Sequence, residues 1–189
     1  MEVEQQLTNK ELRKNIFVIV WPVFVEVLLG ALFGMVDMMM VGKIPGDTAA
    51  AVSAVGMTNQ PMFLGLSLIQ ALNVGGTAII ARYFGAKKYN RMGSILKHVM
   101  ILAMVFCVTP TAILMLIFAP EILSLLGGDA TVINVGVDYF RIVTIGFIFQ
   151  SLSFTVTAAL RGIGETKIPM KNNIIANSCN VLGNAILIY

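Results

Sequence analysis

Five apolar stretches, each near the length a helix needs to cross a lipid bilayer, constrain this chain more than any other feature. They cover residues 16–41, 48–81 (most apolar after Pro61), 95–118, 142–160 and 172–189. A hydrocarbon core about 30 Å thick is spanned by about 20 helical residues, and inside it the backbone must satisfy its own hydrogen bonds. The runs are too long for buried strands, and the alternating segments of about 10 residues that mark a membrane β-barrel are absent. The expected fold class is therefore all-α: a polytopic membrane helix bundle with about five transmembrane helices. Composition agrees, because 12% charged residues and a mean hydropathy of +0.85 contrast with about 25% charged in an ordinary soluble domain.

The expected organisation is an amino-terminal segment, 1–15, followed by one bundle over 16–189. Its helices are placed at about 16–41, 48–81, 95–118, 131–160 and 169–189, the fourth with an amphipathic lead-in from Thr131. The first run exceeds the roughly 7–15 residues of a signal-peptide core and is preceded by mixed charges, so it reads as a retained helix. Pro61 and Pro110 each remove a backbone donor inside a long run and predict bends there. The chain stops at Tyr189 with no polar tail, an ending expected of a truncated chain.

All of the 13 lysines and arginines except Lys43 and Arg141 fall before the first run, between the second and third or at the very start of the third (Lys97), or between the fourth and fifth. The excess of basic residues in those loops places them, and the amino terminus, in the cytoplasm of a multi-pass cell-membrane protein. The net charge of +3 is thus a topology signal, and no nucleic-acid partner is expected. Trp21, just ahead of Pro22, reads as an interfacial anchor at the inner end of the first helix.

Within "GALFGMVDMMMVG", residues 30–42, Asp37 is the one charge. An acid at the centre of a membrane helix costs about 2.5–3.5 kcal/mol on insertion scales, so it turns toward protein or a water-filled cavity. The last run supplies candidate partners: Asn173, Asn177, Asn180 and Asn184 recur at helical spacing and share one face. Asp37 with Asn180 and Asn184 is the expected cation- or proton-coupling site, the alternative being an amide face that glues helices together. Weaker polar stripes place Gln70 and Asn73 (with Thr77) on the second helix and Gln150 and Thr157 (with Ser153) on the fourth. Together with Asn177 these are expected to line a cavity, although packing accounts for each taken singly. Asp138 and Arg141 read as a surface ion pair. The methionines around Asp37, Met35, Met38, Met39 and Met40, suit either lipid or an adaptable ligand wall.

Enzyme chemistry finds no support. No GxGxxG, Walker lysine or HExxH motif occurs, and the single histidine, His98, lies at the basic rim, which leaves no catalytic set and no metal site. Cys107 and Cys179, both in apolar runs, read as small hydrophobes.

Taken in order, "WPVFVEVLLGALFGMVDMMMVG", "GGTAIIARYFGAKKYNRMG", "LRGIGETKIPMK" and "NSCNVLGNAILIY" resemble the multidrug and toxic compound extrusion (MATE) family. The resemblance implies an antiporter that exports drugs or organic cations, driven by sodium ions or protons and needing no other cofactor, with twelve helices in two lobes of six. This chain matches an incomplete amino-terminal lobe. Asp37 falls at the family's coupling aspartate and Asn180 at an asparagine of the same site, while Asn184 stands where many relatives carry a second acid, which leaves a one-carboxylate site for sodium or a proton. Alternating access would couple that site to export. The implied partners are the lipid bilayer, a small organic substrate, and the remainder of the transporter or a second chain. A lipid-linked sugar flippase of the same superfamily and a non-transporting membrane fragment are the alternatives.

Overall fold

The computed structural model describes residues 9–43 and 48–188. Every element among them is helical: α1 (Asn9–Val41), α2 (Thr48–Gly85), α3 (Tyr89–Ala103), a π-helical turn (Met104–Val108), α4 (Thr109–Ile117), α5 (Ala119–Leu125), α6 (Ala130–Gly162) and α7 (Lys167–Ile188). By length and composition, α1, α2, α6 and the segment Tyr89–Ile117 are long and apolar enough to cross a membrane. The expected fifth, α7, has 22 residues but does not reach that apolarity, because its asparagines replace apolar positions.

The core is the α2–α6 pair. Gly136 sits against Ala54, Gly65 against Phe147, and Thr77 Oγ1 donates to the Ala158 carbonyl at 3.0 Å. The partners advance in the same direction, so the two helices run parallel. Buried positions on α2 recur every eleven residues, as Ala54, Gly65 and Gly76 and again as Thr58, Ile69 and Ile80. Eleven residues make three turns at 3.67 residues per turn, the period of a right-handed wind. Small residues at the crossing let the backbones approach closely. Phe140, Phe147, Ile69, Val108 and Met115 fill the space between this pair and the α3–α4 segment.

The buried hydroxyls of this core satisfy themselves. Thr58, Thr144, Ser151 and Thr155 are buried, and each hydroxyl donates to the carbonyl four residues earlier at 2.6–3.1 Å. Such bonds hide polarity inside one helix. They leave nothing over for a ligand.

Of the two predicted bends, only one interrupts a helix. The π-helical turn directly precedes Pro110, whose missing N–H cannot close the α-helical ladder. α2 continues through Pro61 without a break, held along its length against α6. The helix ends are capped by side chains and turns. Asp129 accepts from Val132 N at 2.8 Å to start α6. At the other end of α6, Glu165 N bonds Leu160 O at 2.9 Å and Gly164 N bonds Arg161 O at 3.0 Å. Gly164 has the positive φ of 81° that this Schellman turn requires. Glu165 Oε1 then accepts from the first amides of α7, at 3.0 and 3.2 Å. The turn fixes Arg161 at the mouth of the cleft described next. Asp138 and Arg141, both exposed on α6, form no ion pair with each other.

α1 packs mainly on α7 and only lightly on α2, while α7 in turn touches α6 lightly. The molecule is thus two parallel pairs, α2–α6 inside the bundle and α1–α7 beside it, with a cleft between them.

Candidate functional site

The register of α1 on α7 is fixed at two stations. Asn173 Nδ2 donates to Glu26 Oε1 at 2.6 Å, and Asn184 Nδ2 donates to Asp37 Oδ1 at 3.0 Å. Both steps, 26 to 37 and 173 to 184, are eleven residues, about 16 Å along a helix. The acids therefore share one face of α1 and the amides one face of α7.

At the first station, in the half of the bundle that holds the basic loops, Glu26 is 7% exposed. Its Oε1 also accepts from Arg161 Nη2 at 2.9 Å, so the carboxylate is compensated by a cation from α6. The pairing is monodentate. Glu26 Oε2 and Arg161 Nε are buried without partners, as is Asn73 Oδ1. Two cavities meet at Glu26: one of about 620 Å³ that reaches α2, with Gln70, Asn73 and Thr157 in its wall, and one of about 450 Å³ between α6 and α7, with Gln150, Ser153 and Thr157.

The second station carries a different balance. Asp37 meets two amides and no basic side chain among the described residues. One terminal atom of the Asn180 amide lies 2.9 and 3.1 Å from the two Asp37 oxygens and 3.2 Å from Asn184 Nδ2. That position is occupied by the amide nitrogen, which donates to both carboxylate oxygens.

The expected partners Asp37, Asn180 and Asn184 are thus brought together. Gln70, Asn73, Gln150 and Thr157 lie in the walls of the two cavities that meet at Glu26. Asn177 does not line either cavity: it donates to the Asn173 carbonyl of its own helix at 2.9 Å, because the turn below it offers a nearer acceptor. Asn173, on the same face, binds a buried acid. Glu26 itself is the residue that sequence reasoning passes over. Its signal is present as an acid three turns before Asp37, but a long stretch that is apolar on average masks it.

By fold and site this is a multi-pass helical membrane protein with two acids on one face of α1, Glu26 in the wall of a cleft and Asp37 against the asparagines of α7. The chain belongs to the MatE family, whose signature covers residues 22–186. It is 28% identical over 183 residues to a protein named "Probable multidrug resistance protein YoeA" from Bacillus subtilis, covering 95% of this chain and 38% of that one. Over 184 residues it is 25% identical to "Probable multidrug resistance protein NorM" of Thermotoga maritima, again 95% of this chain and 38% of the relative. A third relative, "Uncharacterized transporter YisQ" of Bacillus subtilis, is 28% identical over 176 residues, 93% of this chain and 38% of its own length. The chain spans 38% of the length of each. No solved structure matches it significantly.

Proposed function

We propose that this chain is the ion-coupling part of a secondary efflux transporter that exports drugs or organic cations against sodium or proton entry. The observation that carries the reading is the balance at Asp37: a carboxylate between helices, held by Asn180 and Asn184 and, among the described residues, neutralised by no lysine or arginine. A charge kept in low dielectric without a fixed counter-ion is neutralised by something exchangeable, a proton or a monovalent cation. Amide oxygens and a carboxylate are hard ligands, suited to sodium, and a carboxylate without a fixed counter-ion suits a proton equally.

In this mechanism, occupancy of Asp37 changes how α1 sits on α7. The pair is attached lightly to the rest of the bundle, so a small change at the triad moves it as a body, as alternating access requires. The basic loops face the cytoplasm and Asp37 the outer half of the membrane, in keeping with the distribution of lysine and arginine. Names of the relatives support drug export. Their greater length supports a second reading, in which this chain alone does not transport and acts only with the helices that complete the relatives.

Ethidium efflux from cells expressing the 189-residue chain tests the proposal, with Asp37→Asn as the control. Energy-dependent efflux that Asp37→Asn abolishes supports coupling through Asp37. Efflux unchanged by Asp37→Asn removes Asp37 from the mechanism, and no efflux above empty cells favours the second reading.

A further inference from the structure

The hairpin of α2 and α3 carries more than a topology signal needs. We infer that the groove between these helices, at the end that holds the basic loop, binds one anionic phospholipid, with its phosphate on Arg91 and an acyl chain along Ile79, Ile95 and Val99. The inference concerns the surrounding membrane and not an exported cargo, so it requires nothing of the efflux reading.

The groove holds a cavity of about 500 Å³ that shares no wall residue with the two that meet at Glu26. Its polar wall is Tyr83 from α2 with Asn90, Arg91, Ser94 and His98 from α3, and its apolar wall is Ile79, Ile95 and Val99. From Arg91 to Val99 is about 12 Å along α3, so one groove joins a charged rim to an apolar wall deeper in the bundle. Both ends are fixed. At the level of Val99 the helices touch, since a Cβ on Gly76 would lie 2.9 Å from Val99 Cγ1. At the rim, α2 ends at Gly85 and α3 starts at Tyr89. Lys88 N bonds Tyr83 O at 3.0 Å across that turn, and the Phe84 and Tyr89 rings meet edge-on at 5.7 Å. A groove held at both ends is formed before any ligand arrives, as small-molecule sites usually are.

Charge selects the ligand. Arg82, Lys87, Lys88, Arg91 and Lys97 lie in a stretch with no acid between Asp47 and Glu121, and none of the five forms an ion pair among the described residues. A cluster of four to eight basic residues beside a membrane helix attracts anionic lipid headgroups. The orientation rule accounts for such charges, but not for a cavity that sets one of them beside two hydroxyls and continues into an apolar wall. Arg91 offers the planar fork that matches phosphate oxygens, and Tyr83 and Ser94 add O–H donors. A zwitterionic lipid would bring its own ammonium toward the basic loop and be disfavoured. A soluble phosphate ester would leave the apolar wall unused.

Native mass spectrometry of the purified 189-residue chain tests this, with equal amounts of phosphatidylglycerol and phosphatidylcholine of matched acyl chains added in detergent. The parent is expected to retain one phosphatidylglycerol, severalfold in excess of phosphatidylcholine. Arg91→Gln should lower that occupancy at least about fivefold, whereas Lys88→Gln, which removes a loop charge outside the cavity, should change it less than about twofold. Ile79→Trp fills the apolar wall at a position already 47% exposed, leaves every charge in place, and should lower occupancy as much as Arg91→Gln. Equal retention of the two lipids by the parent overturns the inference. Equal losses in Arg91→Gln and Lys88→Gln would show a diffuse field of the loop in place of a site, and unchanged occupancy in Ile79→Trp would show that no acyl chain lies in the groove. Displacement of the lipid by millimolar glycerol 3-phosphate would assign the site to a soluble phosphate and also overturn it; retention in its presence supports the lipid.

Discussion

Asn173 on α7 donates to Glu26 on α1 at 2.6 Å, and the same geometry recurs eleven residues further along both helices, where Asn184 meets Asp37 at 3.0 Å. The two stations share a register and differ in what else meets the acid: Arg161 neutralises Glu26, whereas Asp37 meets a second amide, Asn180, and no basic side chain among the described residues. On the proposed reading, that difference separates an acid with a fixed counter-ion from one whose positive partner is exchangeable.

The Glu26–Arg161 clasp should fail asymmetrically. Arg161→Ala strands an acid that has almost no access to water and should cost about 3 kcal/mol of stability. Glu26→Gln leaves behind an arginine whose side chain is 37% exposed; it can reach solvent, so the loss should be nearer about 1 kcal/mol. Thermal loss of helicity by circular dichroism, in one detergent, gives both values, and equal losses would contradict the burial argument.

Packing of the α2–α6 pair depends on glycine only where backbones meet. A Cβ on Gly162 would lie 3.0 Å from the Thr77 carbonyl oxygen, and one on Gly146 would meet nothing within 4 Å. Gly162→Ala should therefore destabilise by about 1–3 kcal/mol, with loss of the Thr77 to Ala158 bond. Gly146→Ala should be neutral or stabilising by up to about 1 kcal/mol, as alanine replaces glycine inside a helix. Melting temperatures of the two variants check the contrast.

The four asparagines of α7 should not respond alike. Asn184→Leu removes a donor from Asp37 and should lower efflux at least tenfold in any form of the protein that transports. Asn177→Leu removes only a bond within its own helix and should leave efflux within about a factor of two, in line with the modest net worth of such a bond. A matched loss in both would show that the Asn face acts as one unit.

Much of this architecture is legible before any coordinates. Run length sets the helical membrane bundle, and the recurrence of Asn180 and Asn184 identifies the face that meets Asp37, because a helix repeats locally and its pattern is written in neighbouring residues. The clasp is not legible in the same way. Arg161 stands 135 residues from Glu26, and it reads as one more basic residue in an inner loop until the Schellman turn at Gly164 is seen to hold it at the cleft. Asn177 fails for the opposite reason: helical spacing assigns it to the polar face, but spacing alone cannot tell a side chain that reaches a neighbour from one that bonds backward. The eleven-residue recurrence of buried positions on α2 is equally hard to see, since glycine, alanine and isoleucine do not stand out in an apolar sequence.

Paired titrations of the purified chain in nanodiscs, sodium by calorimetry and protons by pH electrode, test the exchangeable charge at Asp37 most directly. The parent is expected to take up a sodium ion or a proton that Asp37→Asn does not, and Asn180→Ala should weaken the same uptake while Glu26→Gln leaves it in place. Identical titrations for the parent and Asp37→Asn would show that the carboxylate holds no exchangeable cation.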